Sequence, residues 1–215
     1  MKLLLLNLRV TLYRFLHWMH TLFFYYPAFL WSDLQLARFY LFKSPYQWAD
    51  DYGETPLQTL DRVATAFGIL SHHRVMELGC GTGRTCLWLN RFIGCSVIGI
   101  DHTYRFIKRA RAISSEVEFR CADILNTTLD ADILYFYGTS FPDTFIRKLA
   151  QRITAEQKII TVSFPLSDYD NRFQIEKKIV GSFPWGKTEI YLNYIAGAQD
   201  PAPCGEFERE LHSNS

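Results

Sequence analysis

Glu77-Leu78-Gly79-Cys80-Gly81-Thr82-Gly83 carries the clearest chemical content of this 215-residue sequence. Three glycines in five positions strip a turn of side chains, so a ligand can approach the backbone. The N–H groups at the start of a following helix can then hold a polar or anionic group. Asp101 closes the next apolar run, and a carboxylate there can accept both hydroxyls of a ribose diol. The same residue could instead cap the helix that follows. His102 beside it has the chemistry of a base, or is a surface histidine at a helix start. Two common nucleotide patterns are excluded. No GxxxxGK[ST] is present, which removes a phosphate loop. G-x-G-x-x-G fails because Arg84 stands where its third glycine belongs, which argues against an NAD-dependent oxidoreductase.

These residues need a scaffold, and the chain from Thr55 onward alternates strand and helix patterns. The stretch from Trp48 to Thr55 is polar and reads as a linker, with Thr55 as cap and Pro56 in the first turn of a helix. Leu57, Leu60, Val63 and Phe67 give that helix an apolar face, and Gly68 stops it. Strands are expected at 74–78, 96–100, 117–120, 132–137 and 158–164, with helices at 85–92, 104–113 and 145–153 between them. Residues 174–180 and 189–195 alternate around Pro184-Trp185-Gly186, the pattern of an antiparallel hairpin. This order describes an α/β fold: a doubly wound, mostly parallel seven-stranded sheet closed by a C-terminal antiparallel hairpin. Ligands of such sheets bind beyond the carboxyl ends of the strands, where the glycine turn lies. The domain is expected over 48–197, and 198–215, with two prolines and little apolar material, is expected to be disordered.

The N-terminal 47 residues have a different character. Fourteen of the 34 aromatic residues lie before position 49, together with five cations (Lys2, Arg9, Arg14, Arg38, Lys43) and one acid, Asp33. From Phe15 to Ser32 no Asp, Glu, Lys or Arg occurs. As a helix that run would be about 27 Å long, close to the hydrocarbon thickness of a bilayer. Three readings follow: a membrane span, an in-plane amphipathic anchor, or a helix packed on protein. Pro27, His17 and His20 weaken the first. The net charge of +1 gives no global field for nucleic acid, so no nucleic-acid partner is expected. Five cysteines without a CxxC pair argue against a disulfide scaffold or zinc site and for a reducing compartment. No metal site is expected.

The E-x-G-x-G-x-G turn resembles motif I of the class I S-adenosylmethionine-dependent methyltransferases, and the resemblance extends over residues 56–195. It implies S-adenosylmethionine as cofactor. Glu77, Gly79, Cys80, Gly81 and Gly83 would surround its methionine part, and Asp101, with His102 beside it, would hold the ribose. Asp123 would face the adenine amino group, with Ile124 against the ring. Asp123 also suits a simple turn cap. Tyr135 and Tyr137 would border the methyl group as catalytic candidates, although their spacing equally suits packing on one strand face. No Asn/Asp-Pro-Pro-aromatic turn follows the fourth strand, where Tyr137-Gly138-Thr139-Ser140 stands. That counts against adenine or glutamine as acceptor.

Thr55-Pro56, the run from Lys158 to Pro165 and the run from Thr188 to Leu192 are similar to the small membrane-anchored protein-lysine methyltransferases. This implies a lysine acceptor on a protein at a membrane, with the catalytic domain on the cytoplasmic, reducing side. It would place Glu54 and Thr55 near the active-site mouth. A lipid or quinone methyltransferase, and a non-catalytic methyltransferase-like binding module, are the alternatives.

Overall fold

A computed structural model describes residues 2–25, 27 and 53–196. Seven strands form one sheet: β1 (Arg74–Leu78), β2 (Ser96–Asp101), β3 (Glu118–Cys121), β4 (Ile133–Phe136), β5 (Lys158–Val162), β6 (Phe173–Phe183) and β7 (Gly186–Ile195). Their spatial order is β3-β2-β1-β4-β5-β7-β6. The first five run parallel, and β7 lies antiparallel to both β5 and β6. The order reverses between β1 and β4, so a crevice opens beyond their carboxyl ends. β1 and β4 are apolar-rich and buried because helices cover both faces of the sheet.

Helix α2 (Leu57–Phe67) buries Leu57, Leu60, Val63, Ala64 and Phe67, the stripe its spacing predicts. Gly68 ends it in the left-handed region. Thr55 does not cap it. The Thr55 hydroxyl instead meets the Tyr135 hydroxyl at 2.7 Å, a partner from another strand that a local cap pattern does not foresee. Helix α3 (Arg84–Trp88) leaves the glycine turn and widens into a π turn over Leu89–Ile93. Helices α4 (Tyr104–Ile113) and α5 (Asp143–Ala150) complete the described layers. One core packs α2 and α3 on the sheet, around Trp88 and Tyr135. The other lies around Phe136 and Leu149, beneath α5.

The N-terminal segment forms helix α1 (Lys2–His20), continued by a π turn to Tyr25. It is amphipathic, not apolar throughout. Tyr13, His17, Thr21 and Tyr25 recur every four residues and so share one face. The Tyr13 hydroxyl donates to the Ser182 carbonyl at 2.8 Å, and the Tyr25 ring meets Trp88 and Phe92 edge-on. Leu5, Leu8, Leu12, Phe15, Leu16 and Phe23 are exposed. No helix among the described residues is long and apolar enough to cross a membrane. The remainder of the uncharged run beyond Pro27, most of the 48–55 linker and the expected 198–215 tail lie outside the described residues.

Candidate active site

The turn after β1 is built on backbone that only glycine adopts without strain. Gly79, Gly81 and Gly83 have φ of 83°, 53° and 81°. The Gly79 and Cys80 amides both donate to the Ile100 carbonyl at 2.8 Å, which ties the turn to the end of β2. Asp101 completes the tie. Its Oδ2 accepts from the Gly81 amide at 2.9 Å, and its Oδ1 accepts from the Thr103 amide at 2.7 Å. Asp101 is 7% exposed. The two sequence readings of Asp101 therefore combine: it supports the start of α4, and each oxygen keeps a lone pair for a diol.

The glycines differ in what surrounds them. A side-chain carbon on Gly83 would lie 2.5 Å from the Phe119 ring, so that position is closed by packing. On Gly79 it would meet nothing nearer than the Phe141 ring edge at 3.9 Å. The open space beside the loop is thus at Gly79, where a ligand can lie against bare backbone.

Glu77 lies behind the turn and is fully buried. Burial pushes its carboxyl up to about 8, with the nearby Glu54 charge acting in the same direction. Hydrogen bonds from Cys86 and Thr85 only partly offset this. The Cys86 thiol donates to Glu77 Oε2 at 2.9 Å. Burial thus favours the protonated form of Glu77, which ties the end of β1 to α3 through Cys86. Burial also raises the Cys80 thiol, so it is no nucleophile.

Asp123 is exposed beyond β3. Its Oδ1 accepts from the Leu125 amide at 2.9 Å and its Oδ2 from the Asn126 side chain at 2.8 Å. It caps the short turn over Ile124–Asn126 while facing solvent on the crevice side of β3. Ile124 is buried beside it. His102 points into solvent, with Nδ1 3.9 Å from Asp101 Oδ1.

Tyr135 pairs with Glu77 in the β1–β4 register and is fully buried. Its hydroxyl is engaged by Thr55, and burial raises its pKa well above the ordinary phenol value. Tyr135 reaches no open space and acts as a tie. Tyr137, two residues on, is partly buried. Its hydroxyl is shielded from solvent, with the Thr139 side chain as its polar neighbour.

Gly53, Glu54 and Thr55 lie against Tyr137, the glycine turn and Tyr135. A side-chain carbon on Gly53 would lie 2.5 Å from the Tyr137 ring. Glu54 Oε1 accepts from the Thr82 hydroxyl at 3.1 Å, and Oε2 lies 3.4 Å from Arg84 Nε. Thr55 holds Tyr135. Three consecutive residues thus bolt the chain across the carboxyl ends of β1 and β4. A glycine, a carboxylate and a hydroxyl directly before a helix-opening proline is the signal that composition alone passes over. Phe141 carries no comparable sequence signal. Among the described residues no group of three His, Cys, Asp or Glu side chains is gathered to hold a metal.

Residues 75–164 match the family model described as a methyltransferase domain. No curated protein matches the sequence. Solved structures share the fold at low identity. MtNAS in complex with MTA and tNA superposes with a TM-score of 0.56 at 17% identity, covering 65% of this chain and 59% of that one. This chain thus spans less than two thirds of that protein. An RNA methyltransferase from Salinibacter ruber, in complex with S-adenosyl-L-homocysteine, gives 0.55 at 17%, covering 72% of this chain and 100% of the other. Magnesium protoporphyrin IX methyltransferase from Synechocystis PCC 6803, with bound SAM, gives 0.54 at 21%, covering 65% and 79%. The motif and the strand order agree with the matched model: residues 75–164 carry a methyltransferase domain of the S-adenosylmethionine-dependent kind.

Proposed function

We propose that this chain transfers a methyl group from S-adenosylmethionine to an amine on a protein, a lysine side chain, at a membrane surface. The observation that carries the donor half is the open backbone at Gly79 beside a turn clamped by Asp101. Gly79, Cys80 and Gly81 line the methionine part, with Glu77 and Gly83 fixing the turn. Asp101 takes the ribose hydroxyls, with His102 at its edge. Asp123 and Ile124 border the adenine. When bound, the cofactor supplies a methyl carbon already activated by its sulfonium. The protein's task is alignment and the exclusion of water.

An amine acceptor must arrive as a free base, and an apolar ring-lined approach lowers a lysine from its ordinary value near 10.4. Tyr137, Phe183 and Trp185 supply such a lining next to Gly53. The absence of an Asn/Asp-Pro-Pro turn after β4 disfavours planar nitrogen acceptors. The membrane part of the proposal rests on α1, which carries three cations, no acid and an exposed row of Leu and Phe. Such a helix suits the plane of an anionic bilayer surface. The same row supports a second reading, a lipid or quinone acceptor taken directly from the bilayer. Incubating the full chain with methyl-labelled cofactor and membranes separates these. Label in protein supports lysine transfer, label in the lipid extract supports the second reading, and label in neither with intact cofactor binding points to a binding module.

A further inference from the structure

We infer that the tip of the β6–β7 hairpin and the outward row of helix α1 form one docking edge for an anionic bilayer, and that this edge lies on the crevice side of the sheet. The inference rests on the membrane reading above and adds a second contact and the side of the domain that meets the lipid.

Helix α1 has two apolar faces. Tyr13 and the Tyr25 ring beyond its end tie one of them to the domain, at Ser182 and at the Trp88 and Phe92 rings. Leu5, Leu8, Leu12, Phe15 and Leu16 fall within an arc of about 100° on the side turned away from Tyr13 and His17. Each of the five is more than half exposed. Single exposed apolar residues are ordinary, but a continuous row of large ones marks an interaction surface.

Charge decides what covers the row. Helix α1 holds Lys2, Arg9 and Arg14 and no acid. A second copy seated on the row by two-fold symmetry would bring the same cations, with no carboxylate on the helix to meet them. Anionic headgroups neutralise them while the row enters the acyl boundary.

The hairpin tip adds to the same edge. β7 runs antiparallel to β5, with Ile190 beside Val162, the last residue of β5. The turn before Gly186 therefore projects past the carboxyl ends of the parallel strands, where the crevice opens. Trp185 sits in that turn, 43% exposed, its ring stacked on buried Phe183 at 5.0 Å. A tryptophan held this way suits the headgroup level of a membrane. Lys187 beside it is exposed, and Glu189, the one acid of β7, is paired with Lys178 at 2.9 Å. Helix α1 reaches this tip directly. Tyr13 bonds Ser182, and the Arg9 guanidinium lies 3.6 Å from where a Gly186 side chain would begin. Row and tip are thus fixed to each other, and lipid that binds them holds the crevice mouth at the headgroups. The acceptor then enters from the lipid side.

The test titrates the full chain with vesicles of phosphatidylcholine alone and of phosphatidylcholine with phosphatidylglycerol, reading bound protein by sedimentation. Binding to the anionic vesicles should be at least tenfold stronger and should weaken with salt. Leu8→Glu combined with Leu12→Glu should weaken it at least tenfold. Lys187→Glu should weaken it at least fivefold. Lys158→Glu, the same charge change at the amino end of β5, should weaken it less than twofold. All three variants should keep S-adenosylhomocysteine affinity within twofold of wild type. No vesicle binding, equal binding to both compositions, unchanged binding in the double variant, or equal effects of the two lysine variants overturns the proposal. A dimer in ultracentrifugation that the double variant dissolves makes a second copy the occupant and overturns it too. Failure of the wild type to bind S-adenosylhomocysteine contradicts the donor reading instead.

Discussion

The Asp101 carboxylate holds the Gly81 amide at 2.9 Å through one oxygen and the Thr103 amide at 2.7 Å through the other. One buried acid at the end of β2 therefore fixes the turn after β1 and the start of α4. The proposed donor contact and local stability therefore meet at this residue. Asp101→Ala leaves two amides without acceptors, which costs about 1–3 kcal/mol. It also removes the diol contacts, so S-adenosylhomocysteine affinity should fall at least tenfold. Calorimetry and thermal melting of the same sample measure both effects.

Gly79 and Gly83 should respond to alanine in opposite ways. Both have positive φ, which costs about 1–2 kcal/mol for a side chain. At Gly83 the added carbon also collides with Phe119, raising the loss by about 1–3 kcal/mol. At Gly79 it enters the open cradle. Gly83→Ala should therefore show the larger drop in melting temperature. Gly79→Ala should fold and lose donor affinity.

Glu77 predicts a pH dependence. Its carboxyl is pushed up to about 8 in the fold, while an exposed Glu sits near 4.3. A raised acid favours the folded state at low pH, and that stability drains away as pH rises from about 4.3 to about 8. The slope is at most about 1.4 kcal/mol per pH unit for one proton. Glu77→Gln should flatten the fall in melting temperature between pH 5 and pH 8.

His17 predicts the opposite trend for α1. Burial lowers it to about 4, and the Arg84 and His20 charges act the same way. Its unfolded value is near 6.5, so stability present above that value is lost as pH falls toward 4. Amide exchange in α1 should quicken on acidification from pH 7 to pH 4.5, ahead of exchange in β1. His17→Leu should remove that difference.

Much of the domain was legible in the sequence because its signals are local. The glycine turn, the acid at the end of β2, the α2 stripe and the hairpin around Trp185 each follow from periodicity or turn chemistry within a few residues. Tyr135 was less legible. Spacing placed it on a strand face, but only the long-range bond to Thr55 shows that its hydroxyl is spent inside the fold. Residues 53–55 were less legible for the same reason. Gly53, Glu54 and Thr55 are polar and short, like a linker, yet their partners Tyr137, Thr82 and Tyr135 lie 28 or more residues away. For the uncharged run a membrane span, an in-plane anchor and a helix packed on protein were all open, and the four-residue spacing of Tyr13, His17, Thr21 and Tyr25 turns one face of the described part toward protein.

The most direct measurement is a calorimetric titration of S-adenosylhomocysteine into the full chain, with NAD as comparison. One-to-one micromolar binding of the thioether, no heat from NAD, and loss of the signal in Asp101→Ala are predicted. A folded protein that binds neither ligand, or that binds NAD, would contradict a methyl-donor site on the Gly79 loop.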